Sequence, residues 1–178
     1  DAVAGSRWLS VGVGVASLQA AKERGAKVIG TSGSQEKLDR LKPLGLDLGI
    51  PTRKSDFHDA VMKATGGKGV DLVVNTVGGS VFAECVRSMA FEGRLATVGY
   101  VDAVLKAEID IQALHARRLT LFGVSNKLRT AEQRAAGVEG ASEVAVALFG
   151  GGDGADSRRA GGTPLPLFVT REEEGAIL

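Results

Sequence analysis

Along this chain, stretches with apolar residues on one helical face alternate with short, continuously apolar runs. From Val13 to Arg24, Val15, Leu18 and Ala21 form an inward stripe, Lys22, Glu23 and Arg24 face outward, and Gly25 stands where a C-terminal cap belongs, so the pattern predicts a helix. Lys27 to Thr31 reads as a strand. Ser34 suits the N-cap of a helix from Gln35 to about Lys42, with Leu38 and Leu41 inward and Pro43 near its end. A short strand over Asp47 to Ile50 follows. A helix then starts at Ser55 or Asp56, with Phe57, Ala60, Val61 and Ala64 at i, i+3, i+4 and i+7. Gly66-Gly67-Lys68-Gly69 ends it. Val70 to Thr76 is the clearest buried strand, and Gly78-Gly79 turn the chain into a helix carrying Phe82, Cys85, Val86 and Met89. Gly93 to Val98 is a strand, Asp110 to His115 a short helix, and Leu119 to Gly123 another strand. Residues 1–10 stand where a first strand is expected, although they lack a β-branched run. The alternation predicts an α/β fold: a doubly wound parallel sheet of about six strands with helices on both faces and right-handed crossovers.

Candidate chemistry concentrates at the start of this order. Gly12, Val13 and Gly14 precede the predicted helix, and a turn there would leave backbone N–H groups and the positive helix end facing a phosphate. If Gly14 is the third glycine of G-x-G-x-x-G, the first two fall on Leu9 and Val11, so the fingerprint is incomplete. The next strand ends in Gly30-Thr31-Ser32-Gly33-Ser34, without a carboxylate to hold ribose hydroxyls. This argues against a methyltransferase using S-adenosylmethionine and leaves room for a 2′-phosphate. Ser34 caps a helix pointing at the same place, and Lys37 and Arg53 can bring positive charge, so NADPH is expected over NADH. The lysine of Gly66-Gly67-Lys68-Gly69 follows a helix, the reverse of a P-loop.

Composition narrows the partners. The 178 residues carry 22 basic and 21 acidic side chains, interspersed, with net charge +1, which gives no footprint for nucleic acid or an anionic membrane. One cysteine excludes an internal disulfide framework, and no apolar run reaches membrane-spanning length, so a cytoplasmic protein is expected. His58, His115 and Cys85 lack metal-ligand spacing, Cys85 reads as core, and no catalytic or metal-binding residue is assigned. The sole tyrosine, Tyr100, is not followed by lysine four residues on, which removes a Tyr-x-x-x-Lys dehydrogenase. Beyond Ala136 the character changes. Gly150 to Gly162 has the composition of a loop or linker, with one calcium-repeat-like Gly151-Gly152-Asp153-Gly154-Ala155-Asp156 that cannot stack alone. Pro164 to Thr170 reads as an edge strand and Arg171 to Leu178 as a short helix or tail.

Three phrases give the whole order a family likeness. Gly12-Val13-Gly14-Val15-Ala16-Ser17-Leu18-Gln19-Ala20-Ala21-Lys22 resembles the cofactor helix of the medium-chain dehydrogenases and reductases, in particular their zinc-independent quinone oxidoreductases. Val28 to Ser34 with Lys37-Leu38 resembles that family's second strand and adenosine-side loop, and Gly69 to Gly79 its fourth strand and turn. The resemblance implies a Rossmann-like dinucleotide-binding domain over residues 1–136, with 137–178 as a poorly matching glycine-rich segment and the family's substrate domain absent. It implies an NADPH-dependent reductase of quinones or conjugated carbonyls, homodimeric through this domain. A non-catalytic nucleotide-binding or oligomerisation module is the alternative. The cofactor contacts it implies are Gly12, Val13, Gly14, Thr31, Ser32, Ser34, Lys37, Arg53, Asn75, Thr76, Val77, Gly99, Tyr100, Phe122 and Val124. The chain departs from the family in its first strand, in its first two fingerprint glycines, and in Pro51-Thr52-Arg53, where the family often has Asn-Tyr-Arg.

Overall fold

A computed structural model describes residues 2–125, 127–133 and 166–170; of residues 2–12 only the helical backbone is described. The elements are α1 (Ala2–Glu23), β1 (Lys27–Ser32), α2 (Gln35–Leu41), β2 (Leu48–Pro51), α3 (His58–Ala64), β3 (Val70–Asn75), α4 (Phe82–Arg87), β4 (Met89–Thr97), α5 (Ile111–Ala116), β5 (Thr120–Gly123) and β6 (Leu167–Thr170). They build a six-stranded sheet in the order β2-β1-β6-β3-β4-β5. The α/β, Rossmann-like architecture is the expected one. Strands β1, β2 and β3 to β5 lie within a residue or two of their expected spans, apart from β4, which starts four residues earlier at Met89.

Four linked expectations are corrected together. Residues 2–10 form no strand: helix α1 begins at Ala2 and runs through Gly12, Val13 and Gly14, so no glycine turn exists there. The stretch Ala2-Val3-Ala4-Gly5-Ser6-Arg7-Trp8-Leu9-Ser10 mixes helix-compatible residues and lacks the β-branched run of a doubly buried strand. The central place in the sheet is taken instead by β6, which is therefore not an edge strand. It pairs antiparallel with both neighbours, Phe168 facing Ile29 on β1 and Val73 on β3. The other pairings, β1 with β2, β3 with β4 and β4 with β5, are parallel, so the sheet is mixed rather than wholly parallel.

The alternation of β6 explains why it fits. Leu167 and Val169 point to one face, where they join Leu18 of α1, Leu38 of α2, Val28 and Val74. Phe168 points to the other, among Phe57, Val61, Val73, Cys85, Val86 and Leu95. Its ring centroid lies 5.1 Å from that of Phe57 at a tilt of 51°. A four-residue strand of Leu, Phe, Val and Thr thus fills both cores at once. Cys85 is buried, as expected of a core residue; burial, followed by the nearby Glu84 charge, pushes its thiol up, away from reactivity.

Among the described residues no helix is long and apolar enough to cross a membrane, and no group of three His, Cys, Asp or Glu side chains could hold a metal ion. The segments 134–165 and 171–178, which include the linker-like and calcium-repeat-like stretch and the predicted tail, lie outside the described residues.

Candidate functional site

Strands β1 and β2 run outward from the centre of the sheet in one direction, and β3, β4 and β5 in the other. A crevice opens where the two directions part, beyond the carboxyl ends of the parallel strands, and this is where open α/β sheets bind ligands. A cleft of about 390 Å³ lies there, lined by Thr31, Gly33, Ser34, Lys37, Thr52, Arg53, Lys54, Phe57, Val77, Val81 and Pro166. It brings together five residues singled out from the sequence: Thr31, Ser34, Lys37, Arg53 and Val77.

Its polar wall is built by the ends of β1 and β2. Ser32 is buried, and its hydroxyl accepts a hydrogen bond from the Ser34 N–H at 3.1 Å, which sets the path of the loop entering α2. Ser34 occupies the N-cap position, but its hydroxyl makes no capping bond, which corrects that part of its expected role. Arg53 lies over Gly33 and donates from Nε to the Gly33 carbonyl at 3.1 Å. A Cβ at Gly33 would come within 2.8 Å of the Arg53 Cγ, so glycine is what lets the arginine settle there. Thr52 donates to Asp56 and accepts from the Lys54 N–H, holding the loop after β2. Among the described residues Lys37 and Lys54 have no carboxylate partner, and the cleft lining contains three cationic side chains and no acidic one. That excess of positive charge suits a phosphate.

The opposite wall is the loop after β3. Asn75 is fully buried and spends its amide locally: Oδ1 accepts from the Val77 and Gly78 N–H groups at 3.0 and 3.1 Å, and Nδ2 donates to the Gly78 carbonyl at 3.0 Å. It shapes the loop. Gly78, at φ +131°, lies against Asp102, whose carboxylate accepts from the Ser80 and Val104 N–H groups, each at 2.9 Å. Partial burial raises the Asp102 pKa, but hydrogen bonds from Ser80 and Val104 outweigh it and hold the carboxyl below its ordinary range. Thr76 is buried, and a Cβ at Gly99 would approach its carbonyl to 3.2 Å.

The remaining expected contacts lie apart from this cleft. Tyr100 and Val124 are exposed on the loops after β4 and β5, the Val124 N–H bonded to the Thr97 carbonyl at 2.8 Å. Phe122 on β5 lies under the Arg94 guanidinium, 5.7 Å from its ring centre. Gly12, Val13 and Gly14 belong to the body of α1. Sequence reasoning missed Lys54, Gly33 and Thr52, which adjoin residues it named, and Phe57, which it placed on a helix face. It also missed Pro166, whose place depends on the pairing of β6 across more than a hundred residues.

Residues 12–137 match the family described as zinc-binding dehydrogenase. Quinone oxidoreductase-like protein 2 of Rattus norvegicus is 39% identical over 99 residues, 56% of this chain and 28% of that protein. A phenolphthiocerol/phthiocerol polyketide synthase of Mycobacterium tuberculosis is 35% identical over 103 residues, 58% of this chain and 5% of the synthase. The chain therefore spans no more than about a quarter of the length of these curated relatives. Among solved structures, the nucleotide-binding subdomain of the enoylreductase domain of PpsC from Mycobacterium tuberculosis aligns with TM-score 0.55 at 30% identity, covering 66% of this chain and 67% of that one. The mycobacterial protein Rv1454c, solved with NADPH, aligns with TM-score 0.63 at 27% identity, covering 80% of this chain and 47% of that one.

Proposed function

Because the chain belongs to the zinc-binding dehydrogenase family, we propose that it is the NADPH-binding part of an oxidoreductase acting on a small quinone or conjugated carbonyl compound. The observation that carries this reading is the cleft wall in which Ser34, Lys37, Arg53 and Lys54 converge with no carboxylate among them. An acidic group there would hold the ribose hydroxyls of NADH and repel a 2′-phosphate; this wall does the reverse. NADPH, when bound, supplies the hydride. The chain's part is to bind and orient: Lys37 and Arg53 hold the 2′-phosphate, Thr31 and Val77 flank the adenosine side, and Gly99, Tyr100, Phe122 and Val124 lie toward the reacting end. The likeness to a protein solved with NADPH and to proteins named for quinone and enoyl reduction supports this reading. Phe122 on β5 and Val124 just after it are exposed apolar side chains, which supports pairing of two copies through this domain.

Nicotinamide fluorescence and NADPH consumption test the reading on the 178-residue chain. Addition of the protein should change the fluorescence of NADPH saturably, while turnover with a simple quinone should stay below about 1 s⁻¹, because Tyr100 and Val124 leave the reacting end open to water. Absence of any saturable change contradicts cofactor binding. Rapid turnover contradicts a reacting end left open to water.

A further inference from the structure

A run of hydrogen bonds ties the loops after β2, β3 and β4 to one another. Its centre is Asp102, in the loop after β4. The Asp102 N–H donates to the Val77 carbonyl at 2.9 Å, and its carboxylate accepts from the Ser80 N–H on one oxygen and from the Val104 N–H on the other, each at 2.9 Å. The Gly79 N–H adds a bond to the Val104 carbonyl at 2.9 Å. Room for this clasp is made in the backbone: a Cβ at Gly78 would fall 2.0 Å from the Asp102 Oδ1, and Ala103 takes a left-handed φ of 58°. The Ala103 N–H closes the turn onto the Tyr100 carbonyl at 3.0 Å, so Tyr100 belongs to the clasped loop. On its other side Ser80 accepts, through its carbonyl, a hydrogen bond from the Ser55 hydroxyl at 2.8 Å. Ser55 directly follows Arg53 and Lys54 of the cleft lining.

We propose that Asp102 and Ser55 are positioning residues, through which a phosphate bound at the cationic wall orders the loop that carries Tyr100. The proposal rests on the cleft taking a phosphorylated adenosine. An anion drawn to Arg53 and Lys54 restrains the loop after β2; Ser55 passes that restraint to Ser80, and the Asp102 carboxylate passes it to the turn at Tyr100. The end of the site that meets the reacting group is thereby arranged as the cofactor is seated. Both residues have variants that keep shape and lose the link. An asparagine side chain accepts through one atom only, so Asp102→Asn forfeits one of the two N–H partners, and Ser55→Ala removes the bond to Ser80.

Amide hydrogen exchange of the 178-residue chain, with and without saturating adenosine 2′,5′-bisphosphate, tests it. This probe carries the phosphates but no nicotinamide that could cover Tyr100 directly. In the parent it should slow exchange at Ser34 to Lys37, in the cleft wall, and by at least about three-fold at Asp102 to Val104. Ser55→Ala and Asp102→Asn should keep the first effect and lose the second, and Ser55→Thr, which retains the hydroxyl, should restore it. Slowing at Ser34 to Lys37 alone in the parent overturns the proposal and leaves the cleft as a nucleotide site. Slowing at Asp102 to Val104 that survives Ser55→Ala or Asp102→Asn overturns it equally. If the probe slows neither segment, the NADPH reading falls and the proposal with it.

Discussion

Truncating Phe168 to alanine will destabilise the protein by about 3–5 kcal/mol, the range for removing a fully buried aromatic ring. Phe168 lies at the midpoint of the sheet, completely buried, paired to Ile29 and Val73 and packed on Phe57. Losing it leaves a void at the one point where the β1 and β3 halves of the sheet meet. Phe91→Ala serves as the comparison, because that ring is 60% exposed and its loss should cost no more than about 0.5 kcal/mol. Urea unfolding of both variants checks the difference. If Phe168→Ala falls within about 1 kcal/mol of the parent, the C-terminal segment is not the central strand. Pro166 would then have no fixed place at the cleft.

Replacing Lys37 and Arg53 together by alanine will weaken NADPH binding about 100-fold and leave NADH within about three-fold of the parent. Charge-assisted hydrogen bonds to phosphate are worth roughly 1.5–3 kcal/mol each, but Arg53 is exposed and screened by solvent, so Lys37, half-buried in the wall, should account for the larger share. The two side chains line the same cleft, so their losses need not add. Fluorescence titration of the single and double variants with both nucleotides measures this. Equal losses for NADPH and NADH would mean that the pair only supports the loop around Gly33.

The cationic wall of the cleft was legible in the sequence because its parts are local. The end of β1, the missing carboxylate, Ser34, Lys37 and Arg53 all follow from short-range patterns, and the structure gathers them around one cleft. The predicted glycine turn was misread for a non-local reason. Glycines at positions 12 and 14 resemble a turn only if a strand precedes them, and the run from Ala2 to Ser10 continues the helix instead. Glycine at position 11, which the fingerprint would ask for, lies within that helix and would cost about 1 kcal/mol of helix stability rather than open a phosphate site. Leu167 to Thr170 carried the alternation of a strand, but no local signal told a central strand from an edge one. Its neighbours lie more than ninety residues earlier in the chain, and only its two-faced burial reveals the position. Asn75 was named through the family resemblance alone; what the structure adds is that its buried amide closes the loop after β3.

The cationic wall as a 2′-phosphate site is tested most directly by titrating NADPH and NADH into the unmodified chain in the same low-salt buffer. NADPH should bind at least about ten-fold more tightly, and the ratio should shrink as salt screens the wall. Equal affinities, or a preference for NADH, would contradict the account.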